Sequence, residues 1–325
     1  MRKTFRRTPA ILLLVAASAL AGGSYVKLLP NLQPAQSITY LIRYQSDKNV
    51  KTEGTVVAPM APNTAQMDAR GLLQIDVLDV QPAANTLTLH ARAKFLTLDS
   101  GVWLKKPGEK EPHWNVQRID PLGKSIEFTI SPDGSVDKVQ GLDSMLPDQQ
   151  QAWQEWVARF ALAWTFPSAG VKLGEKWKSE QLEQAAAPIA GLNWERESTY
   201  VRNEPCRATQ LSVSGEVSPS TAPEETCAVV LTTATLKQKS SPKDATPEDF
   251  KLHDLRTMGT AKGTNEIITY ISLGTGLVIR ATETASQFMD VVVATADGSN
   301  RVHYNVDATS HSELLRVTDG LLAHP

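Results

Sequence analysis

Few of the groups that concentrate chemistry are present in this chain. Two of its 325 residues are cysteine and six are histidine, too few for a thiolate metal cluster or a small fold framed by several disulfides. The histidines (His90, His113, His253, His303, His311 and His324) are scattered, and no two stand four apart to aim their nitrogens at one metal. His303 and His311 read as solvated or satisfied strand residues in preference to a pairing with Asp307. Also missing are a Gly-x-Ser-x-Gly elbow, a His-Glu-x-x-His pair and a phosphate-binding loop. Gly274-Thr275-Gly276 lacks the third glycine and the following helix of a dinucleotide site. Acidic pairs such as Glu224-Glu225 and Glu248-Asp249 read as solvated loop or cap charges. The expectation is a protein with no catalytic residues, no metal and no cofactor, hence not an enzyme; only a site assembled from distant strands would leave no local trace.

A surplus of positive charge is lacking too. The chain holds 33 Lys and Arg against 35 Asp and Glu, a net charge of −2. Setting aside the four cations Arg2, Lys3, Arg6 and Arg7 takes that down by four to −6. A broad nucleic-acid surface, which needs clustered cations to displace counterions, is excluded on this balance. Long apolar runs are missing after the N-terminus, so no second membrane helix is expected.

What is present begins with an address. The four cations precede the apolar run Ala10 to Ala21, which closes on the small-x-small pattern Ala19-Leu20-Ala21 of a signal-peptidase site. Residues 1–21 are therefore expected to be a signal peptide, and the protein exported to the periplasm or beyond. The competing reading keeps the run as an uncleaved anchor to about residue 29, with the body facing the periplasm from the inner membrane. Neither cysteine lies near the N-terminus, which excludes a lipid anchor there. In an oxidising compartment Cys206 and Cys227 are expected to bridge, closing a loop of about 20 residues that stabilises by roughly 3 kcal/mol. A plain hairpin of 207–217 on 227–237 would separate them beyond the ~7 Å limit. The bridge therefore requires a shorter or folded-back strand after Cys206.

The rest reads as one large β-rich domain over 36–318. Ser37 to Gln45 alternates and is rich in β-branched and aromatic residues, and Gly71 to Val80 with Thr86 to Leu98 predicts a long hairpin. Ser131-Pro132-Asp133-Gly134 and Asp297-Gly298-Ser299-Asn300 mark turns. Ala58 to Ala69, Glu180 to Ala190 and Ser218 to Glu225 read as surface loops, and 237–263 as a polar insertion with an N-cap at Thr246. One long amphipathic helix is predicted over 147–166, placing Trp153, Trp156, Phe160 and Trp164 on one side. That aromatic stripe is either core packed on a sheet or the lining of an apolar ligand pocket. The fold class expected is mainly β (α+β): a curved antiparallel sheet or incomplete barrel packed around that helix.

The strand-turn-strand Phe128-Thr129-Ile130-Ser131-Pro132-Asp133-Gly134-Ser135-Val136, the helix after it, and Pro167 with Val171, Gly174 and Trp177 resemble a set of uncharacterised exported bacterial proteins sharing a domain of unknown function. More distantly, the order of parts is similar to the curved antiparallel sheets with an inner helix of bacterial lipoprotein carriers. The resemblance implies a fold and transfers no ligand residues. Two functional classes follow: a carrier holding a lipid or other hydrophobic small molecule, with Trp153, Trp156, Phe160 and Trp164 as candidate ligand-binding residues, or an envelope structural or interaction module with a closed core.

Overall fold

The computed structural model describes residues 25–54, 63–83, 86–106, 109–111, 113–115, 124–131, 136–143, 166–167, 169–182, 188–212 and 216–318, with the single positions 145, 150, 153 and 157. Its strands, in chain order, are β1 (Ser37–Gly54), β2 (Thr64–Ala83), β3 (Thr86–Lys105), β4 (His113–Asn115), β5 (Ser125–Ile130), β6 (Val136–Gln140) and β7 (Lys176–Leu182). They continue as β8 (Leu192–Cys206), β9 (Thr209–Leu211), β10 (Val217–Pro219), β11 (Glu225–Gln238), β12 (Leu255–Ser272), β13 (Val278–Thr295) and β14 (Arg301–Val317).

All of these strands belong to one sheet, whose main path runs β6-β5-β3-β2-β1-β14-β13-β12-β11-β8-β7, with β4 beside β3 and the β9-β10 pair beside β14. Every neighbouring pair is antiparallel except a single parallel pair of residues, Val317 and Thr209. The chain enters at the middle of the sheet, meanders outward to β6, resumes at the opposite edge with β7 and returns inward until β14 closes on β1. β2 and β3 are 20 residues each, against about 5–6 for an ordinary strand.

The predicted hairpin of β2 on β3 is present, pairing Thr64 with Lys105 and Ala83 with Thr86. Its strands are longer than expected, because residues 64–69, read as loop, continue β2. The misreading has a physical cause: Ala65, Met67 and Ala69 alternate with Gln66, Asp68 and Arg70, so the period of two is carried by small side chains without β-branching. The polar stretch 237–263 divides in the same way. β11 ends at Gln238, and Leu255 to Gly263 is already β12. Between them α1 (Glu248–Leu252) has Pro247 at its N-cap and no side-chain cap. Thr246, expected to cap it, instead donates its hydroxyl to Asp244 and accepts from the Thr257 amide.

The helix predicted over 147–166 is described at Gln150, Trp153 and Val157, which are helical, and at Phe166, which is not; the rest of that span lies outside the described residues. The helix described throughout is α1, five residues long, so a long amphipathic helix is not established here. Likewise the turn at 132–135 lies outside them, while β5 and β6 pair antiparallel on either side.

The main core sits at one end of the sheet. Tyr40, Leu73, Ile75, Ala93, Ile126 and Phe128 of β1, β2, β3 and β5 form it with Leu32, Leu142, Met145, Trp153 and Val157. Removing each large side chain from water contributes about 1.5–3 kcal/mol. A second cluster at the same end joins Leu28, Val171, Tyr200, Val230 and Ile271. Leu28 is therefore part of the folded body. Val26 exchanges backbone hydrogen bonds of 2.9 Å with Val171, and Asn31 N–H donates to Thr275 at 2.8 Å. An anchor extending to residue 29 would have to remove Leu28 from this core. Gly276 holds the same segment: its φ is +68°, and a Cβ there would stand 2.2 Å from the Leu29 carbonyl oxygen.

The Cys206–Cys227 bridge is formed, with the Cα atoms 5.7 Å apart. The geometric difficulty disappears because Cys206 ends β8, and β8 rather than a strand after Cys206 pairs with β11. Glu225 lies opposite Cys206 and Glu204 opposite Cys227, making the cysteines diagonal neighbours.

Candidate functional site

The long strands have two unlike faces. The inner face, which carries Tyr40, continues along β1 through Ile42, Tyr44, Ser46, Lys48 and Val50. By register it includes Met67 and Ala69 of β2, Val302, Val306 and Ala308 of β14, Ala285, Met289 and Val293 of β13, and Ala261 of β12. Opposite-facing positions on the same strands are Arg43, Gln45, Asp47, Asn49, Lys51 and Glu53, with Arg70, Asp68 and Gln66, and with Asp307, Thr309 and His311. The apolar bias follows from the alternation of side chains across a strand, and it is incomplete, since Ser46, Lys48, Ser310 and Gln287 also lie on the inner face.

Exposure follows the same alternation at most positions, with Lys48 on the inner face exposed and His303 and Asn305 on the outer face half-buried. Over β1, β2 and β14 beyond the core, Met67, Ala69, Val50, Val306 and Ala308 are half-buried, while Asp47, Gln66, Asp68, Asp307 and Thr309 are exposed. At its far end the inner face is capped on one side by a third cluster, in which Ile189, Leu192 and Ala245 pack on Leu236, Ala261 and Val291. Between this cap and the two clusters at the other end lies a strip of Val, Met and Ala side chains that belong to no buried cluster of the described residues: Met67 and Ala69, Val306 and Ala308, and Ala285.

A line of polar side chains crosses that strip. Arg196 of β8 lies level with Ala234, Ala234 with Asn265 of β12, and Glu283 of β13 with Ser312 of β14. Asn265 Nδ2 donates to Glu283 Oε1 at 2.6 Å, and Ser312 Oγ donates to Glu283 Oε2 at 3.2 Å. Arg196 and Asn265 are each 8 % exposed. Asn265 Oδ1 is buried without a hydrogen-bond partner. Sequence reading missed this row because its members come from distant stretches, and polarity does not alternate cleanly across 255–272, where Asn265 precedes Glu266 and Ile267 precedes Ile268.

Of the candidate ligand residues, Trp153 is packed in the main core with its ring 4.9 Å from that of Phe95. Trp156, Phe160 and Trp164 lie outside the described residues. Burial pushes the Tyr40 phenol far above its usual range, against a smaller lowering by Arg316, as expected for a hydroxyl in a closed core.

The outer face carries the ordinary polar furniture of a solvated sheet. A recess of about 230 Å³ is lined by Lys51, Glu53, His303 and Asn305. His303 Nε2 pairs with Asp290 rather than with Asp307, and His311 Nδ1 lies 3.3 Å from Thr284 Oγ1. Among the described residues no three metal-ligating side chains gather, and no helix is long and apolar enough to cross a membrane.

No protein-family profile matches the chain, and no curated protein does. Among solved structures, lipovitellin, from a study of its lipid-protein interactions, is similar over 87% of this chain at 12% identity and a TM-score of 0.43. The chain spans 25% of the lipovitellin chain. A candidate lipoprotein from Parabacteroides distasonis is similar over 87% of this chain and 98% of its own, at 8% identity and a TM-score of 0.25. A candidate exported protein with a YmcC-like fold from Bacteroides fragilis covers 87% and 97% at 8% identity and a TM-score of 0.23. At these scores the likenesses carry no argument about what this chain does.

Proposed function

We propose that this is an exported, non-enzymatic protein that carries a lipid-like or otherwise hydrophobic ligand along the inner face of its sheet. The observation that supports the reading is the strip itself. A sheet face on which Val, Met and Ala predominate among Ser46, Lys48, Ser310 and Gln287, backed by a charged face on the same strands, offers apolar surface to a ligand. A bound acyl chain or similar apolar body would cover it, at roughly 25 cal/mol per Å² removed from water. The aromatic side of 147–166 remains a proposed contributor through Trp156, Phe160 and Trp164, whereas Trp153 serves the core.

The test is native mass spectrometry and lipid extraction on protein purified from the envelope that exports it. Co-purified apolar ligand is expected, and Val306→Lys on the strip should abolish its retention while Thr309→Lys on the outer face leaves it intact. Equal retention by both variants, or ligand-free protein that takes up no lipid from vesicles, would move the reading to a closed envelope interaction module.

A further inference from the structure

Six large apolar side chains stand exposed among the described residues, and three of them gather at one corner of the packed end: Tyr25 and Leu173, each 58 % exposed, and Val201, 39 % exposed. We infer that this corner is a membrane-contact face, where the folded body rests on the surface of a phospholipid bilayer. The contact is independent of what the inner face of the sheet binds.

The backbone brings the three together. Val26 exchanges hydrogen bonds with Val171, and Tyr25 stands beside Lys172, whose ammonium lies 4.3 Å from the centre of the ring. Leu173 follows at the tip of a pinned turn. The Lys172 amide donates to the Glu175 carboxylate at 2.7 Å, and the Glu175 amide donates back to the Lys172 carbonyl at 2.9 Å. Gly174, at a φ of +80°, donates its N–H to the Tyr200 carbonyl at 2.7 Å. Tyr200 is packed in the second cluster, whereas Val201 is the extra residue of a bulge, since Tyr200 lies opposite Val230 and Arg202 opposite Val229. Turn and bulge therefore hold apolar side chains outward at a well-ordered corner. Leucine and valine suit the acyl layer, while tyrosine and a lysine on a flexible stem suit its boundary with water.

Two further observations favour a bilayer as the occupant. The apolar run Ala10 to Ala21 joins the body here; the chain from Ala21 to Tyr25 reaches at most about 14 Å, so the run, while in a membrane, holds this corner at its surface. Charge agrees, because residues 25–30, 171–178 and 197–204 carry five cations against three carboxylates on a body that is acidic as a whole. No ion pair has to open for the contact: Lys176 keeps Glu197, and Arg202 keeps Glu204.

The experiment places an environment-sensitive nitrobenzoxadiazole dye on Leu173→Cys or on Leu252→Cys in the full chain made through its natural export route. Leu252, 84 % exposed on α1, is the control at the opposite end of β12. The buried Cys206–Cys227 bridge takes no label, and neither replacement removes a core side chain. On vesicles of equal parts dioleoyl-phosphatidylglycerol and dioleoyl-phosphatidylcholine, the dye at 173 is expected to brighten and shift to the blue while the dye at 252 stays as in water. Adding Tyr25→Asp to the Leu173→Cys protein should reduce the brightening about tenfold, with an unchanged circular-dichroism spectrum. A silent dye at 173, the result of a mere tether or of a protein occupant, would overturn the membrane-contact face, and so would equal shifts at both sites.

Discussion

The two ends of the long strands obey different rules. At the end holding Ile38, Tyr40 and Leu41, β1 is buried on both sides: Tyr40 faces the main core, and Leu41 packs with Leu315 and Val317 against Leu211 and Val217. At the other end, from Gln45 to Gly54, the same strand has no fully buried residue. Continuity of the hydrogen-bonded ladder therefore does not require a core along its whole length. The packed end accounts for the stability of the sheet, and the extended end holds a shaped, half-shielded surface at little structural cost.

This contrast is broken most directly at the packed end. Phe128→Ala empties a fully buried position and should lower unfolding free energy by about 3–5 kcal/mol. Val306→Ala on the extended end should cost under about 1 kcal/mol, since the site is already half-open. Urea titration of the two variants compares them; equal losses would end the distinction. Next in size, replacing both Cys206 and Cys227 by serine should cost roughly 3 kcal/mol for a loop closed over a separation of 21 residues. Intact-mass measurement of the exported wild type should show the two-hydrogen deficit and cleavage near Ala21.

Gly276→Ala should have an intermediate effect, because the left-handed backbone and the Leu29 carbonyl both resist a methyl. Amide exchange at Val26 and Asn31, whose hydrogen bonds tie this segment down, is expected to accelerate before the strands do.

The smallest effect lies in the β13-β14 turn. Asp297 accepts from Thr295, from the Ser299 amide and from the Ser299 hydroxyl, and these hydrogen bonds hold its carboxyl at about 2. A carboxylate depressed on folding stabilises above its unfolded value near 4 and loses that contribution as pH falls toward 2. Asp297→Asn should therefore lower the melting temperature slightly at pH 7 and not at pH 2; an equal decrease at both would assign the effect to shape rather than charge.

The sequence was most readable where alternation coincided with β-branched or aromatic residues, as at Ser37 to Gln45 and Thr86 to Leu98. It was least readable at 64–69 and 255–263, where Ala, Gly and Thr alternate with polar residues and resemble a loop. Those same stretches build the extended end. The inner-face positions there are half-buried or buried and carry mostly small side chains, so the ordinary mark of a strand is weakest where the candidate site lies. The row of Arg196, Asn265, Glu283 and Ser312 was invisible for another reason: its members are far apart in sequence, and only the register of β8, β11, β12, β13 and β14 aligns them.

The pairing of Thr39 with Val317 also sets an order of events in time. β1 emerges first and finds β2 at once, but its other edge waits until β14, the last strand, has been made. Until β14 has been made, the growing chain thus carries a bare strand edge in its own middle, the kind of edge that recruits other chains. Closure of this seam joins the most distant parts of the described sequence, so its loop-closure entropy is the largest of any strand pairing in the sheet.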